Sequence, residues 1–187
     1  MAESERDLDL VRRLAAGDER AVGDLLAAYG QRLYAYALRL TGDPALADDV
    51  TQDAVVAAWR SARRYRGEGR LIAWLLGIVH HTALKAIRRR PQTISDQLER
   101  TLASPADSPE DLAEAGQQAQ SVRRALACLP AAQRLVLELI FYQGLSLEEA
   151  ARVCRIPLGT VKSRLSSARK QLRGVLLRSG EVEEEAR

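Results

Sequence analysis

The side chains with most to offer chemically lie between Leu158 and Arg173. Lys162, Ser163, Arg164, Ser166, Arg169, Lys170 and Arg173 supply cationic and hydroxyl groups there, and no carboxylate interrupts them. Val161, Leu165, Ala168 and Leu172 recur between them at i, i+4, i+7 and i+11, the spacing of one helix face. A helix built this way turns an apolar stripe inward and a basic, hydroxyl-bearing face outward. That face holds no nucleophile and no general base. Its chemistry is recognition of a polyanion, in which Lys and Arg displace counterions condensed on phosphates. The N-terminal residues, from Leu158 and Gly159 through Lys162, Ser163 and Ser166, can reach base edges in a major groove. Arg164, Arg169 and Arg173 suit phosphates. An ordinary helical hairpin with a solvated basic face is the alternative.

A second basic block lies far away in the chain. Residues 61–90 carry Arg63, Arg64, Arg66, Arg70, Lys85, Arg88, Arg89 and Arg90 against a single acid, Glu68. Acid-rich stretches flank both blocks, so the formal net charge of +3 conceals the pattern. One polyanion touching both blocks is the natural partner; two solvated helix faces are the bland reading.

Other reactive residues point away from catalysis. His80 and His81 are adjacent, so on a helix they face different directions, and no third ligand lies nearby. They read as surface or groove residues. Gly67-x-Gly69 lacks the rest of a phosphate loop. Cys128 and Cys154 have no CxxC partner and read as two small buried thiols, not as a disulfide or a zinc site. No nucleophile–base pair, metal cluster or cofactor motif supports an enzyme. No apolar run approaches the roughly 18–20 residues that a membrane span needs. Met1–Asp9 is acidic and polar, unlike a secretory signal. The expectation is a cytoplasmic protein without metal, cofactor or membrane insertion.

The elements that must position these faces are helices. Aromatic residues are 4% of the chain and β-branched runs are absent, so the 187 residues read as all-α. Leu8, Val11 and Leu14 mark a first helix, broken at Gly17-Asp18. Val22, Leu25, Leu26, Tyr29, Leu33, Tyr36, Ala37 and Leu40 mark a second. Gly42 can end it, and Asp43 can cap a third with Pro44 in the first turn. Leu46, Val50, Ala54, Ala57 and Trp59 are inward candidates of that third helix, which runs to about Ala62. Arg63–Arg70 reads as a loop. Leu71–Arg90 reads as a fourth helix carrying Trp74, Leu75, Ile78, Val79 and Leu84, with Pro91 ending it. The spacing of Trp59 and Trp74 assigns both to the core, not to base stacking.

A change in composition then divides the chain. Residues 93–118, rich in Ser, Pro, Asp, Gln and Glu, read as a flexible acidic linker between two small helical domains, 1–92 and 119–178. Residues 179–187 form an acidic tail. In the second domain Val122, Leu126 and Leu129 restore helical periodicity, and Pro130 starts a helix with Val136, Leu139 and Ile140. Gly144 breaks it. Ser146-Leu147-Glu148-Glu149 is a capping box that opens a short helix. Leu147, Ala150, Ala151 and Val153 face inward, with Ala151 small enough for close crossing. Arg155-Ile156-Pro157 makes the turn, with Ile156 directed to the core. The cap, tight turn and charged second helix together form a helix-turn-helix.

These residues resemble a family. Gly159-Thr160-Val161-Lys162-Ser163-Arg164-Leu165 and Ala168-Arg169-Lys170-Gln171-Leu172 are similar to the second domain of bacterial RNA polymerase sigma factors of the extracytoplasmic-function (ECF) group. So are Leu129-Pro130-Ala131-Ala132-Gln133-Arg134 and Gly144-Leu145-Ser146. The run from Ala47 to Asp53, with Ala58-Trp59-Arg60, resembles that group's first-domain signature. Tyr65-Arg66-Gly67, Ala73-Trp74-Leu75 and Ile87–Arg90 resemble the next segment of the same domain. The resemblance implies a promoter-specificity subunit, with core RNA polymerase, promoter DNA and an anti-sigma factor as partners. It implies that Asp48, Asp49, Gln52 and Asp53 dock on polymerase. It implies −10 reading by Arg63, Arg64, Arg66, Arg70, His81, Lys85, Arg88 and Arg89, partly through an unstacked base. It implies −35 reading by Leu158, Gly159, Lys162, Ser163, Arg164, Ser166, Arg169, Lys170 and Arg173. A stand-alone helix-turn-helix regulator is the rival. Two departures stand out. Arg155 occupies the turn where the family usually has Gly, a position that often needs positive φ. Gly69–Ala73 also lacks the family's usual Phe-containing stretch.

Overall fold

A computed structural model describes residues 2–89 and 125–178, and all the elements in them are helical. The expected linker 93–118, the tail 179–187, Arg90, Pro91 and Val122 lie outside the described residues. The helices are α1 (Ala2–Ala16), α2 (Glu19–Thr41), α3 (Pro44–Ser61), a 3₁₀ turn (Ala62–Arg64), α4 (Leu71–Arg89), α5 (Ala131–Leu137), α6 (Leu147–Cys154) and α7 (Leu158–Arg178). They divide between two compact units, the first built on α1–α4 and the second on α5, α7 and most of α6.

In the first unit α2, α3 and α4 pack on one another, and α1 lies against α2, α3 and the 3₁₀ turn. The buried stripe of α2 is Ala21, Leu25, Tyr29, Leu33, Tyr36, Ala37 and Leu40. Val22 is only half-buried and Leu26 is exposed, so the stripe is narrower than its composition suggests. Leu71, Leu75, Leu76 and Val79 of α4 are almost wholly buried. Each such side chain contributes roughly 1.5–3 kcal/mol of transfer free energy.

The junctions follow the expected chemistry. Asp18 caps α2 by accepting from the Arg20 N–H at 3.0 Å. Its carboxylate also takes Arg13 Nε at 2.8 Å, while Arg13 Nη1 reaches Asp24 at 2.7 Å, tying the end of α1 to the start of α2. The hydrogen bond from Arg13 holds the Asp18 carboxyl below the usual carboxylate range. Gly42, at φ +63°, ends α2 by donating to Leu38 O at 2.7 Å. Asp43 then caps α3 through the N–H groups of Ala45 and Leu46, with Pro44 in the first turn.

Two residues sit elsewhere than their spacing suggested. His80 is buried, only 4% exposed, with Nδ1 3.1 Å from the Tyr36 hydroxyl. It falls in line with Leu76 and Ala83 on the core face of α4, and Tyr36 satisfies its ring nitrogen. Trp59 is 38% exposed. The buried stripe of α3 runs Leu46, Ala47, Val50, Thr51, Ala54, Val55 and Ala58, which leaves Trp59 on its flank and Ala57 half-buried.

In the second unit α5 packs on α7. α5 does not end cleanly: Glu138–Tyr142 widens into a π turn, closed by Gln143 N–H donating to Glu138 O at 3.0 Å. The Gln143 side chain repeats the link, donating to Glu138 Oε1 at 3.1 Å in a buried setting. Gly144, at φ +62°, turns the chain out of it. Arg134 donates to Leu129 O at 2.8 Å, and burial lowers its guanidinium pKa. Cys128 is exposed, contrary to expectation, because it falls in the turn that closes before Pro130; Cys154 is half-buried.

The turn between α6 and α7 is where the sequence departs from family habit, and the backbone keeps its left-handed geometry. Arg155 has φ +52°, the one positive value at a non-glycine residue among the described residues. Ile156 N–H donates to Ala151 O at 3.1 Å, the 6→1 bond of a Schellman ending. A Cβ in this conformation costs about 1–2 kcal/mol. Arg155→Gly should therefore raise the stability of the second unit by about 1 kcal/mol, after the entropy that glycine adds to the unfolded chain. A urea titration that finds the variant less stable would mean the Arg155 side chain contributes more than the strain it carries.

Candidate nucleic-acid interface

The second unit presents α7 as the sequence implied. Ser146 N–H donates to Glu149 Oε2 at 2.9 Å, and Glu149 N–H donates to Ser146 Oγ at 3.1 Å, a complete capping box. It fixes the start of α6, whose Ala150, Ala151 and Val153 are buried while Leu147 is half-buried. After the Arg155 turn, Pro157 O accepts from Thr160 N–H at 2.9 Å and from Val161 N–H at 3.2 Å, opening α7. Val161, Leu165 and Ala168 are buried; Leu172 and Ile156 are half-buried.

The opposite face of α7 is wet. Gly159, Lys162, Ser163, Ser166, Arg169, Lys170 and Arg173 are exposed, and Leu158 and Arg164 are half-buried at its edges. Ser163 Oγ donates to Thr160 O at 3.0 Å, which leaves its lone pairs outward. Such a face is about the width of a major groove and carries donors for phosphate and base edges alike.

The first unit gathers its own basic surface around residues 62–70 and along α4. Arg63, Arg64, Arg66, Arg70, Lys85, Arg88 and Arg89 are exposed, and His81 is half-buried. Arg63 has a structural task as well, since its Nε donates to Ala15 O at 3.0 Å and braces the end of α1. Tyr65 organises the loop: its ring packs against Trp74 at 5.1 Å between centroids, and its hydroxyl donates to Gly69 O at 3.0 Å. Trp74 is half-buried against Tyr65.

On α3 the three acids Asp48, Asp49 and Asp53 are exposed together with Gln52. The stripe continues into Val56 and Trp59, 41% and 38% exposed. Spacing alone does not place these two on the surface. The signal was the paired core register of α3, in which the positions following Val55 and Ala58 fall outside. Among the described residues no group of His, Cys, Asp and Glu could hold a metal ion, and no helix is long and apolar enough to cross a membrane.

Comparison with known proteins gives a family match in each part of the chain. The Sigma-70 region 2 family matches residues 25–92, and the Sigma-70 region 4 family matches residues 119–172. The chain is 32% identical over 175 residues to the ECF RNA polymerase sigma factor SigK of Mycobacterium tuberculosis, covering 91% of this chain and 94% of that protein. It is 30% identical over 184 residues to the ECF RNA polymerase sigma-E factor of Escherichia coli, covering 92% and 95%. Its fold is similar to the sigma factor RpoE of Bartonella quintana, solved in complex with the anti-sigma factor NepR. That likeness has a TM-score of 0.64 and 30% identity, and covers 82% of this chain and 95% of that one.

The α6 cap is the part of this interface most open to a stability test. Ser146→Ala and Glu149→Ala should each cost about 1 kcal/mol, and the double substitution clearly less than their sum, because the two bonds form one reciprocal unit. Strict additivity in chemical denaturation would contradict that coupling.

Proposed function

The chain belongs to the ECF group of RNA polymerase sigma factors, and we propose from that premise how its surfaces divide the work. As a member it binds core RNA polymerase and directs DNA-dependent transcription initiation at specific promoters. The proposed assignment gives the −35 element to the outward face of α7, with Leu158, Gly159, Lys162, Ser163 and Ser166 at base edges. Arg164, Arg169, Lys170 and Arg173 hold phosphates. The −10 element falls to Arg63, Arg64, Arg66, Arg70, His81, Lys85, Arg88 and Arg89. The exposed, acid-free basic face of α7 is the observation that carries the reading.

The α3 stripe is assigned to polymerase. Asp48, Asp49, Gln52 and Asp53 offer charge complementarity to a basic helix, which steers encounter and fixes register. Val56 and Trp59 add the apolar area that a charged rim alone lacks. The proposed boundaries are 1–92 and 119–178, with 93–118 as tether. Joining two modest contacts through a tether raises overall affinity without new chemistry. The complex of the relative RpoE with NepR supports an anti-sigma partner for this chain too. In this role the protein catalyses no reaction itself and works in the cytoplasm, where promoter DNA and polymerase are.

In vitro transcription with core polymerase on a randomised promoter library tests the proposal and reads out both elements. Promoter-dependent transcripts should require both the chain and core; a chain that neither binds core nor directs initiation would overturn it. Lys162→Ala and Ser166→Ala should relax discrimination at the −35 element by roughly 1–3 kcal/mol for a base contact, whereas Arg169→Ala should weaken all promoters alike and reduce the salt slope by about one. Equal losses on specific and random duplexes for all three variants would refute this division.

A further inference from the structure

The first helix of the chain ends against the basic loop. Gly17, at φ +85°, closes α1 in a Schellman ending. Asp18 N–H donates to Arg13 O at 3.0 Å, and Gly17 N–H donates to Leu14 O at 3.1 Å. The last carbonyls of a helix have no partner within it, so Ala15 O must look outside α1 for a donor. Arg63 supplies one, with Nε donating at 3.0 Å. A guanidinium there also gains from the negative end of the helix dipole. A second contact lies two turns back. Leu8 precedes Ala15 by seven residues and shares its face of α1. A Cβ on Gly67 would meet Leu8 Cδ2 at 3.7 Å, so the loop backbone rests beside that side chain.

α1 is itself firmly held. Leu10, Val11 and Leu14 are buried. Arg13 pairs with Asp18 and Asp24, and the Tyr29 hydroxyl donates to Asp7. The helix is thus a strut anchored on α2 that meets residues 62–70 at two points, Arg63 and Gly67. Arg63 differs in this from its neighbours in the basic block. Arg64 and Arg66 are exposed, whereas the Nε of Arg63 is engaged by α1. That bond fixes the plane of the guanidinium and occupies one of the edges that a bidentate phosphate contact would use.

We infer that α1 is a brace that sets the position of the loop 62–70, with Arg63 and Leu8 as positioning residues. Arg63 then serves the −10 element through Ala15, and not by holding a phosphate. α1 precedes residues 25–92, the stretch that the Sigma-70 region 2 family matches. The inference rests on the assignment of this loop to the −10 element.

The test uses the full chain bound to core polymerase, as wild type, Arg63→Ala, Leu8→Ala and Arg66→Ala. Initiation is measured across a salt series on the preferred promoter, on one with the −10 element scrambled and on one with the −35 element scrambled. Arg63 and Leu8 are both exposed, so both variants should fold. A displaced loop weakens the −10 contact alone. Arg63→Ala and Leu8→Ala should each shrink the advantage of the preferred −10 element by roughly three- to tenfold, the scale of one lost hydrogen bond. The advantage of the −35 element and the salt slope should keep their wild-type values. Arg66→Ala, which removes a phosphate contact, should flatten the slope by about 0.7–0.9.

If Arg63→Ala flattens the slope as Arg66→Ala does, Arg63 holds a phosphate and the inference is overturned. It is overturned equally if Leu8→Ala keeps the wild-type −10 advantage, or if both variants lower all three promoters by one common factor. If wild type shows no advantage for any −10 sequence, the assignment of the loop falls and this inference falls with it.

Discussion

Everything this molecule presents outward depends on the rotational register of its helices, and burial sets that register. Successive residues of an α-helix are about 100° apart, so a shift of one residue would turn Lys162 and Ser166 of α7 toward the core. Burying an unpaired ammonium group costs several kcal/mol, far more than any surface contact returns. With Val161, Leu165 and Ala168 locked inside, the basic face has no other place to be. The same constraint acts on α3, where Ala47, Val50, Ala54 and Ala58 turn Asp48, Asp49, Gln52 and Asp53 to solvent. Function here is the complement of the core: recognition residues occupy the positions that packing leaves over.

Register alone does not aim a helix, and the α6–α7 junction supplies the direction. The capping box fixes where α6 begins, and the Schellman ending fixes where it stops. Between them Arg155 carries a backbone strain that glycine would avoid. The bond from Ile156 N–H to Ala151 O is compatible only with that left-handed residue, so geometry prevails over local preference. In the first unit Tyr65 and its two glycine neighbours do the equivalent for the loop. Both proposed reading surfaces are thus held by short, specific turn chemistry, with the broad apolar core behind them.

Much of this was legible in the sequence because the signals were local. Asp43-Pro44, Gly42 and Ser146-x-x-Glu149 act within one helical turn, and each does in the structure what its residues imply. The alternation of Val161, Leu165 and Ala168 with cations likewise needed no tertiary information. The failures were tertiary. His80 reads as a surface residue until the Tyr36 hydroxyl, 44 residues away in sequence, arrives to satisfy it. Trp59 reads as core because it is large and apolar, yet the narrow stripe of alanines in α3 leaves it outside. Cys128 reads as buried by the general habit of thiols, whereas a turn before Pro130 decides its exposure. The π turn at Glu138–Tyr142 had no sequence signal, since it depends on the Glu138–Gln143 link that only the folded chain makes.

The central claim is that α7 and the basic loop of the first unit act together on one promoter, and only within polymerase. Footprinting compares the free chain with the chain bound to core polymerase on a promoter fragment. Two separated protected segments are predicted, at the −35 and −10 elements, appearing together when core is present and absent or weak without it. Full protection of one segment by the free chain, at the same concentration and unchanged by core polymerase, would contradict the claim and describe an independent DNA-binding regulator instead.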